Sequence, residues 1–196
     1  KSSTLLYACL LCRVDVSSSL RRLSEDEQGH RSISEASFDD IRGVLGDEPV
    51  YRVEQVRHAV YRTPTTAFDK IQTLPAAMRV LLGCQFRYEA LEAVRSEMSQ
   101  DGTQKTLFRA NDGAAVETVQ MLTERSDATT ICLSSQSGCG MGCRFCATGD
   151  IGLTRNLTSG EIVDQFLYFR RRSKVSRVPD RAVFMGMGEP LANLSA

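Results

Sequence analysis

The sequence predicts an α/β protein in which a small helical module and β-hairpins precede a βα unit that expects a parallel neighbour. Three observations carry that prediction. Apolar residues between 33 and 85 recur at helical spacing, the stretch 86–122 alternates between turn signals, and 130–185 reads strand, amphipathic helix, strand.

Composition bounds the rest. The chain has 196 residues, 42% of them hydrophobic, which is ordinary for a globular core. Its 24 basic and 24 acidic residues cancel, so a nucleic-acid partner has to be met by a local patch. No apolar run approaches the roughly 20 residues of a membrane span. Seven cysteines, an odd number concentrated in one loop, point to metal chemistry in a reducing compartment and away from a secreted disulfide framework.

Residues 1–32 form a polar or targeting-like lead-in; Cys9 and Cys12 there make an isolated C-x₂-C that reads as an incidental apolar stretch. Domain limits follow at 33–85 for the helical module, 86–128 for the hairpin connection and 129–196 for the parallel βα part. Phe38, Ile41, Val44 and Leu45 share one helical face, with Ser37 and Asp40 as a capping signal and Gly46 as a stop. A second helix over 52–61 turns Val53, Val56 and Val60 inward and leaves His58 on the surface. Phe68 and Ile71 mark a short third, and Pro75 opens a fourth through Met78, Leu81 and Leu82. Alternation then predicts strands near 93–98, 105–110 and 114–122, separated by Asp101-Gly102 and Asn111-Asp112-Gly113. Glu117 falls in the last of them, on its polar face.

A strand over 130–135 runs straight into Cys139-Gly-Met-Gly-Cys143-Arg-Phe-Cys146. Thr158 and Glu161 form a capping box for a helix over 159–173 with Ile162, Val163, Phe166, Leu167 and Phe169 as its buried face. The next strand, 181–185, leads into Gly186-Met-Gly-Glu-Pro190. Such βα units bind ligands at the carboxyl ends of their strands, where both the cysteine loop and 186–190 stand. The basic run Arg170-Arg-Arg-Ser-Lys174, with Arg177 and Arg181, either touches phosphate or is a solvated helix end favoured by the macrodipole.

Cys139, Cys143 and Cys146 are spaced C-x₃-C-x₂-C, and interleaved glycines let the loop approach a bulky ligand. Three soft thiolates suit zinc or an iron–sulfur cluster. Structural zinc normally takes four Cys or His ligands, and the only histidines are His30 and His58. Three ligands on a four-iron cluster leave one iron open to a substrate; buried structural cysteines or a remote fourth ligand are the alternatives.

At this point the sequence resembles the radical S-adenosylmethionine enzymes, which implies that the βα unit is the start of a partial TIM-type barrel. The whole line, Cys132-Leu-Ser-Ser-Gln-Ser-Gly-Cys139, then Gly152-Leu-Thr-Arg-Asn-Leu-Thr, then Met185-Gly-Met-Gly-Glu-Pro-Leu, is similar to the radical-SAM adenine C2 methyltransferases of ribosomal and transfer RNA, over about 33–193. The resemblance implies that Cys139, Cys143 and Cys146 hold a 4Fe-4S cluster and that Gly188 and Glu189 contact S-adenosylmethionine. It implies Glu117 as proton acceptor and Cys132 as the thiol that helps resolve a covalent RNA adduct. It further implies rRNA and tRNA substrates met through the helical module, an electron donor, no membrane, a monomer when complete, and a cytoplasmic site, or a plastid or mitochondrion if 1–32 is a targeting remnant. Glu117 as a plain strand residue and Cys132 as a small buried hydrophobe stand as the simpler alternatives. Two departures qualify the match. Met187 replaces the first of the family's paired glycines, and the sequence ends after the second of six expected barrel strands, before the family's methyl-accepting cysteine. The expectation is a fragment inactive by itself, with the apolar surfaces of 131–133, Phe166 and 183–185 exposed.

Overall fold

A computed structural model describes residues 31–122, 128–172 and 178–196. The lead-in up to residue 30, with Cys9 and Cys12, lies outside the described residues, as do Lys174 and Arg177. Arg31 and Ser32 belong to the fold: Arg87 donates its N–H to the Arg31 carbonyl at 3.0 Å, and Ser32 is fully buried.

The helical module follows the predicted periodicity. Helix α1 (Phe38–Leu45) starts at a complete Ser37–Asp40 capping box and stops at Gly46, whose φ of 62° a Cβ-bearing residue resists. Helix α2 (Tyr51–Tyr61) buries Val53, Val56, Ala59 and Val60, and His58 is exposed. A 3₁₀ turn at Phe68–Lys70 and helix α3 (Ala76–Gln85), opened by Pro75, complete it. These faces close on one core that includes Ile33, Ile41, Leu45, Phe68, Leu74 and Leu82.

Strands β1 (Glu92–Met98), β2 (Gln104–Arg109) and β3 (Ala115–Leu122) form an antiparallel meander. It continues into β4 (Thr129–Cys132), antiparallel to β3, and β7 (Arg181–Val183), parallel to β4, giving one sheet in the order β1-β2-β3-β4-β7. The hairpins are therefore part of the barrel-side sheet. Helix α5 (Ser159–Arg172) crosses over between β4 and β7, starting at the expected Thr158–Glu161 box.

Several expectations need correction. The strand over 130–135 ends at Cys132; Gln136–Gly138 (β5) instead pairs with Leu153–Asn156 (β6) in a separate antiparallel hairpin that brackets the cysteine loop and the short helix α4 (Ala147–Ile151). Ile131 and Leu133 are 0% and 6% exposed and Phe166 is half-buried, because the meander and α5 close a second core over them with Phe108, Val116 and Phe169. Phe184 and Met185 are exposed as expected. Val163 lies at the rim of α5, while Glu161, Asp164 and Gln165 are buried in its face. Among the described residues of the basic run only Arg171 departs from a solvated end: it is buried, donates to the Val60 carbonyl at 2.9 Å and covers the Tyr88 ring, whereas Arg172 is exposed and grips Glu89 through two bonds of 2.7 and 2.9 Å. Leu167 completes the helical module's core, so α5 belongs to both cores.

Candidate active site

Sheet register decides which side chains meet. Val119 faces Cys132 across the β3–β4 ladder, and Glu117 lies two residues along β3, so Cys132 and Glu117 share one face. Diagonal neighbours of this kind sit about 7–8 Å apart. Val116, Thr118 and Ile131 point the other way, into the core under α5. Cys132 is buried, and burial raises its thiol above the ordinary value despite the Met185 N–H at its sulfur. Glu117 is half-exposed and pairs with Lys105, two ladder positions away on the same face, at 3.1 Å.

The ladder ends at Val119 and Cys132 because side chains take over. Ser134 Oγ donates to the Glu117 carbonyl at 2.5 Å, Ser137 Oγ to the Ala115 carbonyl at 2.9 Å, and the Glu117 N–H reaches Met187 Sδ at 3.4 Å. Gln165, fully buried on α5, fixes Ser134 from behind: its Oε1 accepts from the Ser134 N–H at 2.8 Å and from the Thr118 hydroxyl at 2.7 Å, and its Nε2 donates to the Ser134 carbonyl at 2.9 Å.

The glycine turn seats against the same strand. A Cβ on Gly186 would stand 2.6 Å from Ser134 Oγ, and one on Gly188, at φ +95°, 2.6 Å from the Gln136 Cβ. Hence the two essential glycines are 186 and 188, and Met187 between them is part of the design. Glu189 donates its N–H to Gln136 Oε1 at 3.0 Å, and its carboxylate caps the following 3₁₀ turn through the Leu191 N–H at 2.9 Å. Asn193 holds the carbonyls of Ser135 and Leu157, both at 2.9 Å.

The cysteine loop hangs from β5. Gly138, φ +75°, lets the chain pass Gly152, whose carbonyl accepts the Cys139 N–H at 3.0 Å. Cys139 is buried, Cys146 half-buried and Cys143 exposed. Cys146 caps α4, and the N–H groups of Gly149 and then Thr148 hold its thiol below the ordinary value, which favours a thiolate ligand. Among the described residues no three His, Cys, Asp or Glu side chains gather as a ready metal-ligand set. The donor chemistry nevertheless fits an iron–sulfur cluster, with three thiols on one glycine-rich loop and no histidine beside them. Arg155 on β6 locks the hairpin, gripping Glu161 with bonds of 2.8 and 2.7 Å and pairing with Asp112 of the β2–β3 turn.

Sequence reasoning missed Gln165, Ser134, Arg155 and Asn193. The polar run Ser-Ser-Gln-Ser at 134–137, which overlaps the end of the strand expected over 130–135, is the available signal.

A parallel β4–α5–β7 unit with a three-cysteine loop and a glycine turn at its carboxyl end is the arrangement of radical SAM methyltransferases. The structure superposes on a crystal structure of a radical SAM methyltransferase from Sphaerobacter thermophilus with a TM-score of 0.78 and 40% identity, covering 85% of this chain and 49% of that one. No protein-family model matches. Among curated proteins, the chain is 46% identical over 149 residues to the probable dual-specificity RNA methyltransferase RlmN of Gemmatimonas aurantiaca, covering 76% of this chain and 41% of that protein. It is 44% identical over 165 residues to the dual-specificity RNA methyltransferase RlmN of Geobacter sulfurreducens, covering 79% and 44%. The chain is similar to these RNA methyltransferases and to the radical SAM methyltransferase structure, and it spans about half the length of the curated relatives it matches.

Proposed function

We propose that this chain supplies the cluster-binding and proton-accepting part of an enzyme that methylates C2 of adenine in ribosomal and transfer RNA. The observation that carries the reading is the β3–β4 register, which puts Glu117 and Cys132 on one face beside the Gly186–Pro190 turn. Cys139, Cys143 and Cys146 would hold a 4Fe-4S cluster, and Gly188 with Glu189 the methionine end of S-adenosylmethionine. Bound together and given an electron by a donor, these groups would supply the radical chemistry that activates a methylated protein cysteine for attack on an electron-poor aromatic carbon. Glu117, open to solvent and beside Lys105, is the group that accepts the proton lost from adenine C2. Cys132, held as a neutral thiol by burial, is the nucleophile kept for release of the protein–base thioether. The exposed surface of the helical module is the candidate RNA contact; an external electron donor, a monomeric state and a cytoplasmic setting complete the reading. No helix among the described residues is long and apolar enough to cross a membrane.

The test uses a full-length protein carrying this sequence, loaded anaerobically with iron and sulfide. Cys139→Ala, Cys143→Ala and Cys146→Ala should each lose the cluster absorbance. Cys132→Ala and Glu117→Gln should keep it and lose methyl transfer to RNA by about 100-fold or more. Iron loss in Cys132→Ala would show that this thiol is a ligand and reject its assigned role.

A further inference from the structure

We propose that Met187 is a positioning residue for Glu117, its thioether sulfur registering the glycine turn on strand β3; this rests on the reading of Glu117 as proton acceptor. Glu117 points its N–H and C=O towards β4, past the point where the ladder has ended. An ordinary strand would leave those groups to water. Here the carbonyl takes the Ser134 hydroxyl at 2.5 Å, and the N–H takes Met187 Sδ at 3.4 Å.

Met187 is itself held at three further points. Its N–H donates to Ser134 Oγ at 2.9 Å, and its carbonyl accepts from the N–H groups of Ser135 at 2.9 Å and Gln136 at 3.3 Å. Its side chain packs against the second core. Gly186 and Gly188 make this seat possible, since a Cβ at either would collide with Ser134 or Gln136. Ser134 therefore touches Glu117 and Met187 at once, and Gln165 fixes Ser134 from the core. The result is a closed loop of contacts, Glu117 to Met187 to Ser134 and back to Glu117, in which the sulfur is the only link made by a side chain of the turn. A thioether is a weak acceptor, so the link sets position more than it adds stability. Any shift of the 186–190 turn is passed to the backbone that carries the Glu117 carboxylate.

The test is made in the full-length protein with three variants. Met187→Leu keeps the apolar volume and removes the acceptor, Met187→Gln restores an acceptor at similar reach, and Glu117→Gln removes the base. Hydrogen–deuterium exchange resolved to single residues should show the Glu117 amide exchanging about fivefold to tenfold faster in Met187→Leu, with Thr118 unchanged, and slowing again in Met187→Gln. Methyl transfer to RNA should show kcat reduced in Met187→Leu at unchanged KM, and recovery in Met187→Gln. An unchanged Glu117 amide in Met187→Leu overturns the proposal, and so does full kcat in Met187→Leu when Glu117→Gln is inactive. Full activity of Glu117→Gln removes the proton-acceptor reading instead, and the exchange data then separate that failure from a failure of the contact.

Discussion

Gly138 and Gly142 illustrate how differently two loop glycines are constrained. Both have positive φ, 75° and 60°. A Cβ on Gly138 would stand 1.9 Å from the Gly152 carbonyl oxygen, backbone that cannot swing aside, whereas one on Gly142 meets nothing within 4 Å. Gly142→Ala should therefore cost only the left-handed backbone penalty, about 1–2 kcal/mol. Gly138→Ala should cost clearly more, roughly 3 kcal/mol or above, because the β5–β6 hairpin must open as well. Urea unfolding midpoints of the two variants against the parent check this; equal shifts would mean that the close approach to Gly152 does not form.

Helix α5 carries an ionisable group that sets a pH dependence. Asp164 is buried between the helical module and the sheet, and burial pushes its pKa up to about 6, against the opposing pull of the Ala90 N–H and Arg171. The nearby Ser34 side chain pulls the same way as Arg171, and Glu89 adds repulsion. Because the folded pKa exceeds the ordinary 3.8, the folded chain binds more protons than the unfolded one between about pH 4 and 6. Stability from this group is therefore greatest below that window and is lost as pH rises through 6, by up to about 3 kcal/mol. The depressed carboxyls of Asp40 and Asp112 act in the opposite sense, and only below about pH 4. Between pH 7.5 and 5 the urea midpoint of the parent should accordingly rise relative to that of Asp164→Asn. A parallel course of the two curves would place the Asp164 pKa in its ordinary range.

At the scale of the whole chain, α5 joins the two cores. Leu167 is 4% exposed inside the helical module's core, while Phe169, two residues on, is 2% exposed in the sheet's core, edge-on to Phe108. Arg171 and Arg172 extend the junction to Val60, Tyr88 and Glu89. The module and the sheet should consequently unfold in one transition. Leu167→Ala should cost about 2–5 kcal/mol, and Val163→Ala, at the rim, less than about 1. Separate melting of residues 33–85 in exchange experiments on the parent would show that the junction does not couple them. The same coupling means that RNA contact by the module is better tested by surface substitutions at Arg57, His58 and Arg62 than by deleting 33–85, which would strip a partner from Leu167.

The sequence by itself determined the local elements and the donor set. Capping at Ser37 and Thr158, the stop at Gly46, the hairpin turns and the C-x₃-C-x₂-C loop are all encoded within a few residues of where they act, so they were legible without the fold. The family resemblance named Glu117 and Cys132 but could not say where they stand relative to each other. Tertiary structure decided that, through the β3–β4 register, in which a slip of one residue would send Glu117 to the opposite face from Cys132. It also decided that residues 134–137 leave the strand, that Arg171 turns inward while Arg172 reaches Glu89 at the surface, and that Met187 is a contact in its own right. These depend on partners distant in sequence, 31 positions away for Gln165 with Ser134 and 111 for Val60 with Arg171. A polar side chain reads as surface until the groups that satisfy its hydrogen bonds are brought to it, and only the folded chain brings them.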